Sequence, residues 1–282
     1  MKIFDTHAHY DDDRFDEDRE ALLAGRILED IRLSKSDQDD KSDKENQLSD
    51  DVFHVSNITN IGCTMETSRM SVEFARKYDF MYASIGVIPH HVDEMTENDI
   101  EELRALAASC DKVVAIGEIG LDYYYDEPAK ELQHKWFTRQ MELAGELGLP
   151  LVIHSRDAAQ DTVELMKKAH AEDIGGVIHC YSYSEEMSRE FLKMGFYFGI
   201  GGVVTFKNSK KLKRAVQAIP IEKIVLETDC PYLAPSPHRG ERNDSRFLPL
   251  VINEIARLKS MSPSEVAQRC YENALELYKI PR

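Results

Sequence analysis

The stretch Ile3-Phe4-Asp5-Thr6-His7-Ala8-His9, residues 3–9, starts as a strand and ends in two histidines two positions apart. Strand side chains alternate between faces, so His7 and His9 point the same way and can share one divalent ion. Outward from this stretch the same arrangement recurs four times: a short apolar run, then a residue type that ligates metals. The others are Glu118 in AIGEIGLD (115–122), His154 in LVIHSRD (151–157), His179 in VIHCYS (177–182) and Asp229 in VLETDCP (225–231). A His-x-His pair alone says little, but five separate strand ends converge on one reading, a shared metal centre. The donors are nitrogen and oxygen only, which suits zinc, manganese, or magnesium with some water ligands. Four histidines and two carboxylates exceed what one four-coordinate ion needs. Two divalent ions bridged by a carboxylate are therefore expected, a recurring device for hydrolysing phosphoesters.

The spacing of apolar runs predicts strands at 2–5, 55–61, 81–86, 113–117, 151–153, 176–178, 196–199 and 223–226. Amphipathic patterns predict helices between them at 67–77, 99–110, 129–147, 158–171, 184–194 and 209–218, and two more at 247–259 and 263–277. Eight strands alternating with helices is the pattern of an α/β fold, a (β/α)8 TIM barrel with its chemistry at the carboxyl ends of the strands. All six candidate ligands lie at that end of their runs. The last helix carries its own start signal, Ser262 as N-cap followed by Pro263. The 282 residues suit one barrel domain spanning the chain.

Composition narrows the partners. The net charge of −16 argues against a protein that grips duplex DNA along its length. Part of it is local: the segment from 34 to 51 is poor in apolar residues, and within it residues 35–51 hold seven acids and three lysines. That segment is expected to be a solvated, mobile insertion. The five cysteines are odd in number and widely spread, with no Cys-x-x-Cys pair, which points to reduced thiols. The start MKIFDTHAH is already a strand and not a signal peptide, and no apolar run approaches the ~20 residues that cross a membrane. A soluble, cytoplasmic protein with no membrane partner is expected.

The stretches DTHAHYDDDRFDEDR, GEIGLDYYYD, LGLPLVIHSRDA, HCYS, FYFGIGG and LETDCPYLAPSPHRGERN occur in that order. On these motifs the chain resembles the TatD family of metal-dependent deoxyribonucleases, barrels of the amidohydrolase type, and the resemblance extends over nearly the whole chain outside residues 35–51. The resemblance implies one ion held by His7, His9, Glu118 and Asp229, and a second held by Glu118, His154 and His179, with Glu118 bridging. It implies hydrolysis of DNA phosphodiesters, often exonucleolytic. Three positions depart from the family pattern. Ile88 stands in Gly86-Val87-Ile88-Pro89-His90 where a histidine is common, Tyr183 where glycine is usual, and Asp244-Ser245 where a proline often follows the asparagine.

Catalytic roles fall to Glu118 and to Asp229, expected to orient the attacking water and accept its proton. Substrate contacts are expected from His90, Arg156, Lys207, His238, Arg239 and Arg242, cations near the rim, since arginine forks suit phosphate oxygens. Tyr123, Tyr181 and Tyr232 follow ligand motifs and are candidates to stack on bases, while Trp136 reads as core. The acidic surface confines DNA contact to the mouth, favouring single strands or ends. The alternatives are a hydrolase of a small ester, lactone or amide, an aminoacyl-tRNA deacylase, and a non-catalytic metal-binding scaffold. Small-substrate relatives often bridge their metals with a modified lysine at the fourth strand; Glu118 occupies that place here.

Overall fold

A computed structural model describes residues 1–33 and 51–282. The expected insertion at 34–51 lies outside the described residues but for Asp51. Eight strands form one parallel sheet in sequence order: β1 (Lys2–Ala8), β2 (His54–Ile61), β3 (Met81–Ile85), β4 (Val113–Asp122), β5 (Leu151–Arg156), β6 (Gly176–Ile178), β7 (Tyr197–Ile200) and β8 (Ile224–Leu226). The β8 exit returns to β1 through a parallel bridge between Ala8 and Cys230. Asp229 N–H donates to the His7 carbonyl and His9 N–H to the Cys230 carbonyl, both at 2.9 Å. The eight strands thus curl into a nearly closed barrel.

The helices are α1 (Arg19–Leu23), α2 (Met65–Lys77), α3 (Glu97–Ala108), α4 (Lys130–Leu147), α5 (Ala159–Lys168), α6 (Ala171–Ile174), α7 (Glu185–Lys193), α8 (Lys210–Ala218), α9 (Leu248–Lys259) and α10 (Pro263–Leu277). Ser262 caps α10 as its sequence predicts, in a reciprocal capping box with Glu265. The helix predicted at 158–171 stops at Lys168, because His170 turns left-handed (φ 52°), and the short α6 follows beyond it. The short α1 precedes the insertion, in a charge-rich stretch whose weak apolar periodicity sets no bounds for a helix.

Strand parity builds both the core and the site. Phe4, Val114, Val152, Val177, Tyr197 and Val225 come from six strands and meet in one buried cluster, which only the barrel interior permits. His154 lies two residues beyond Val152, and His179 two beyond Val177. Alternation therefore turns both imidazoles inward above the packed layer. The other parity, with Ile3, Ile153, Ile178, Phe198 and Leu226, joins Trp136, Phe137, Val72 and Leu103 of the surrounding helices. At the opposite end Tyr278, just past α10, is buried in the interior cluster and donates its hydroxyl to the Thr6 carbonyl. Strands β1, β4 and β5 run further than their apolar runs suggest. β4 continues through Gly117 and Gly120, and a Cβ at Gly120 would come within 1.9 Å of the His154 carbonyl oxygen. Those glycines prolong the strand by admitting close approach to β5.

Candidate metal centre

The six candidate ligands converge at the carboxyl end of the barrel. His7 Nε2 lies 3.1 Å from His9 Nε2, 3.3 Å from Glu118 Oε2 and 3.8 Å from Asp229 Oδ1. His9 Nε2 lies 3.3 Å from Asp229 Oδ1. On the other oxygen of Glu118, Oε1, His154 Nδ1 stands at 2.9 Å and His179 Nε2 at 3.1 Å. Among the described residues three groups have ligand atoms close enough to hold an ion: His7 with His9 and Glu118, Glu118 with His154 and His179, and His7 with His179 and Asp229. Glu118 belongs to two of them, one through each oxygen.

Local structure positions the candidate ligands on β1 and after β8. Asp229 adopts a left-handed backbone (φ 57°) three residues past β8, with its N–H on the His7 carbonyl at 2.9 Å. Such a conformation costs an aspartate about 1 kcal/mol or more, and the bond to β1 holds it at the mouth. Behind His7, buried Asp5 accepts from Thr228 N–H (3.0 Å), Thr228 Oγ1 (2.7 Å) and Ser245 Oγ (2.6 Å). Ser245, one of the positions that depart from the family pattern, thus serves the β1–β8 seam.

The donor set fits divalent cations. His9 Nδ1 lies 3.1 Å from the Ile61 carbonyl, a partner that takes the Nδ1 proton, so a neutral His9 offers its lone pair at Nε2. That lone pair faces His7 Nε2 and Asp229. His154 Nε2 lies 3.0 Å from Asp122 Oδ2, which leaves Nδ1 aimed at Glu118 Oε1. Acceptors that converge this closely need a cation or a proton between them.

Electrostatics agree. Burial, with the charge of His179, lowers the His7 pKa to about 4, so that imidazole is neutral and ready to ligate. Burial opposes ionisation of Glu118, but the charge of His179 and hydrogen bonds with His154, His179 and His7 hold it well below the carboxylate range. Asp229 is held low in the same way, mainly by His9. For His154, burial favours the neutral form, yet Asp122 and Glu118 together raise it to about 9.

Three site residues carried no ligand-like signal in the sequence. Asp122 backs His154 and also lies 3.0 Å from His90 Nε2. Glu227 is buried beside His179 Nδ1 at 3.7 Å and accepts from Cys180 N–H at 2.6 Å, and burial pushes its pKa to about 8. A Cβ at Gly199 would sit 1.9 Å from Glu227 Oε2, so the glycine makes room for the carboxyl group. Cys63 Sγ lies 3.8 Å from Glu118 Oε2. Asp122 follows Glu118 by four positions along β4, and Glu227 precedes Asp229 by two. Strand alternation could have flagged Glu227.

The expected substrate contacts separate. Arg156 is exposed at the rim beside His154, its guanidinium 3.8 Å from the Tyr124 ring centroid. His90 sits behind Asp122 on the same side. Arg239 covers the Phe206 ring at 4.4 Å, Lys207 is exposed after β7, and His238 stacks on Phe247. Arg242 forks both guanidinium nitrogens onto Asp18 at 2.7 Å each. Of the tyrosines, Tyr123 donates to Asp161 and Tyr181 is buried, whereas Tyr232 is exposed with Arg14 over its ring. Tyr183 bonds Ser155 Oγ at 3.0 Å and accepts from Ala158 N–H, which ties it to the end of β5. All five cysteines are free, and Trp136 is buried in the core, as the sequence suggests. No helix among the described residues is long and apolar enough to cross a membrane.

Comparison with known proteins gives a consistent picture. The sequence model of the family described as TatD related DNase matches residues 4–279. An uncharacterized metal-dependent hydrolase of Bacillus subtilis, YabD, is 40% identical over 278 residues, covering 99% of both chains. The 3'-5' ssDNA/RNA exonuclease TatD of Cronobacter sakazakii is 34% identical over 230 residues, 79% of this chain and 87% of that protein. Among solved structures, the TatD homologue YjjV of Escherichia coli superposes with a TM-score of 0.84 at 27% identity, covering 99% of this chain and 98% of that one.

Proposed function

Because this chain belongs to the TatD-related DNase family of metal-dependent hydrolases, we propose that it hydrolyses DNA phosphodiester bonds, exonucleolytically, on single strands or ends. Two divalent ions, magnesium, manganese or zinc, serve the reaction. The observation that carries this reading is Glu118, whose two oxygens face two different histidine pairs. The first ion belongs with His7, His9, Glu118 and Asp229, the second with Glu118, His154 and His179. Bound there, such ions make water a nucleophile at neutral pH and neutralise charge developing on phosphoryl oxygens.

The chain supplies the rest. Asp229 has the more exposed of the two ligand carboxylates, 19% against 7% for Glu118. Ionised and facing the mouth, it orients the attacking water and takes its proton. Glu118 spaces the two histidine pairs. Arg156 offers its guanidinium to a phosphate at the rim. The exonuclease named in Cronobacter sakazakii supports single-stranded substrate, and the net charge of −16 disfavours a long duplex footprint.

The test is hydrolysis of single-stranded DNA with each of the three metals, wild type beside His7→Ala/Glu118→Ala. Cleavage that needs metal and disappears in the double variant is the expected result. A wild type that binds two ions and leaves DNA intact, while cleaving an ester or lactone, overturns it.

A further inference from the structure

Directly after β4 the chain presents two tyrosines to solvent, Tyr124 at 58% and Tyr125 at 52% exposure, the two most exposed large apolar side chains among the described residues. Their rings meet edge to face at 4.9 Å. Arg156 lies over both, 3.8 Å from the Tyr124 centroid and 5.8 Å from that of Tyr125. Tyr125 also meets the His90 ring edge to face at 5.2 Å. His90 in turn approaches Asp122, the residue that backs His154. Tyr125 and His90 line an open cavity of about 620 Å³ together with Asp126 and Glu127. An aromatic face thus stands near the candidate ligand His154, with a guanidinium over it and two carboxylate residues lining the same cavity.

Exposed aromatic rings next to an arginine suit a flat, electron-rich partner joined to an anion. A nucleobase stacks on such a ring whatever its sequence, and arginine takes the phosphate. The two carboxylates repel phosphate, so the strand's backbone must keep to the Arg156 side while its base enters the cavity. We propose that Tyr125, with Tyr124 and Arg156, forms a base-stacking subsite holding one nucleobase of a single strand next to the phosphodiester at the metal centre. This rests on the nucleic-acid reading given above. His90 supplies the ring that Tyr125 meets edge to face within this subsite.

The experiment uses a short DNA single strand with one 2-aminopurine, added to metal-free protein so that binding is read without turnover. Wild type should quench the fluorophore at one position near the scissile end. Tyr125→Ala should weaken binding roughly tenfold to a hundredfold, and Tyr125→Phe, which keeps the ring, should match wild type. With metal, Tyr125→Ala should raise KM for the strand with little change in kcat. An abasic nucleotide at the quenched position should cost wild type the same factor and cost Tyr125→Ala nothing further. Equal binding and KM for wild type and Tyr125→Ala overturns the subsite, as does an abasic penalty that Tyr125→Ala retains in full. A wild type that stacks the base on Tyr125 but never cleaves leaves the subsite standing and removes the nuclease reading.

Discussion

On the β1 side of Glu118, His9 is backed by the Ile61 carbonyl at 3.1 Å; on the β5 side, His154 is backed by the Asp122 carboxylate at 3.0 Å. Both partners fix the ring and select which nitrogen faces the centre. Only the carboxylate also adds charge. Burial, with the charge of His179, lowers His7 to about 4, whereas Cys63 and Asp229 overcome burial and hold His9 well above its ordinary value, and Asp122 and Glu118 overcome it and raise His154 to about 9. Each side of Glu118 therefore carries a histidine held above its ordinary value, but only on the β5 side does the residue backing the ring do the raising. Occupancy at the His154 side should depend on pH through a residue that never touches the ion.

The largest effect should come from removing what the two sides share. Glu118→Ala is expected to lower turnover by about 10³-fold or more and to abolish the second ion, read by hydrolysis assay and metal analysis. Full metal content in that variant would break the comparison at its centre.

Asp122→Asn acts on one side only. Affinity on the His154 side should fall roughly tenfold to a hundredfold in a calorimetric titration, leaving the His7–His9 side unchanged. Equal losses at both sites would show that the backing residues are not independent.

The pH dependence follows with its sign. Because His154 is raised above its ordinary value to about 9, it is protonated at neutral pH without metal, and an incoming ion must displace that proton. Affinity on that side should climb as pH rises from about 6.5 towards 9. The stability that the protonated histidine gives the metal-free protein should be lost over the same window. Asp122→Asn should flatten both curves.

Smaller effects come from the support behind the site. Gly199→Ala pushes a methyl into the Glu227 carboxyl group and should cost about 1–3 kcal/mol in denaturant unfolding. Arg242→Ala, which loses a partly exposed fork on Asp18, should cost about 1 kcal/mol or less, with KM unchanged.

The comparison also shows what a sequence can disclose. His7, His9, Glu118, His154, His179 and Asp229 were legible because each follows an apolar run, and the barrel gathers such positions at one end. The eight strands were legible for the same reason. Asp122 and Cys63 were not, since their contacts with His154 and Glu118 are made across strands, whereas Glu227, two positions before Asp229, was open to strand alternation and was missed. Strand lengths failed where glycines let β4 continue, because Gly117 and Gly120 read as breakers until β5 is seen beside them. The rim was least legible. Tyr123 and Tyr181 look like stacking residues in sequence, yet their hydroxyls are tied down, and the exposed pair is Tyr124 and Tyr125.

The most direct test of the shared-carboxylate account is anomalous diffraction from crystals of the protein loaded with manganese. The account predicts two peaks about 3.5–4 Å apart, one on each oxygen of Glu118, the first among His7, His9 and Asp229 and the second between His154 and His179. A single peak, or two peaks that leave Glu118 outside both coordination spheres, would contradict it.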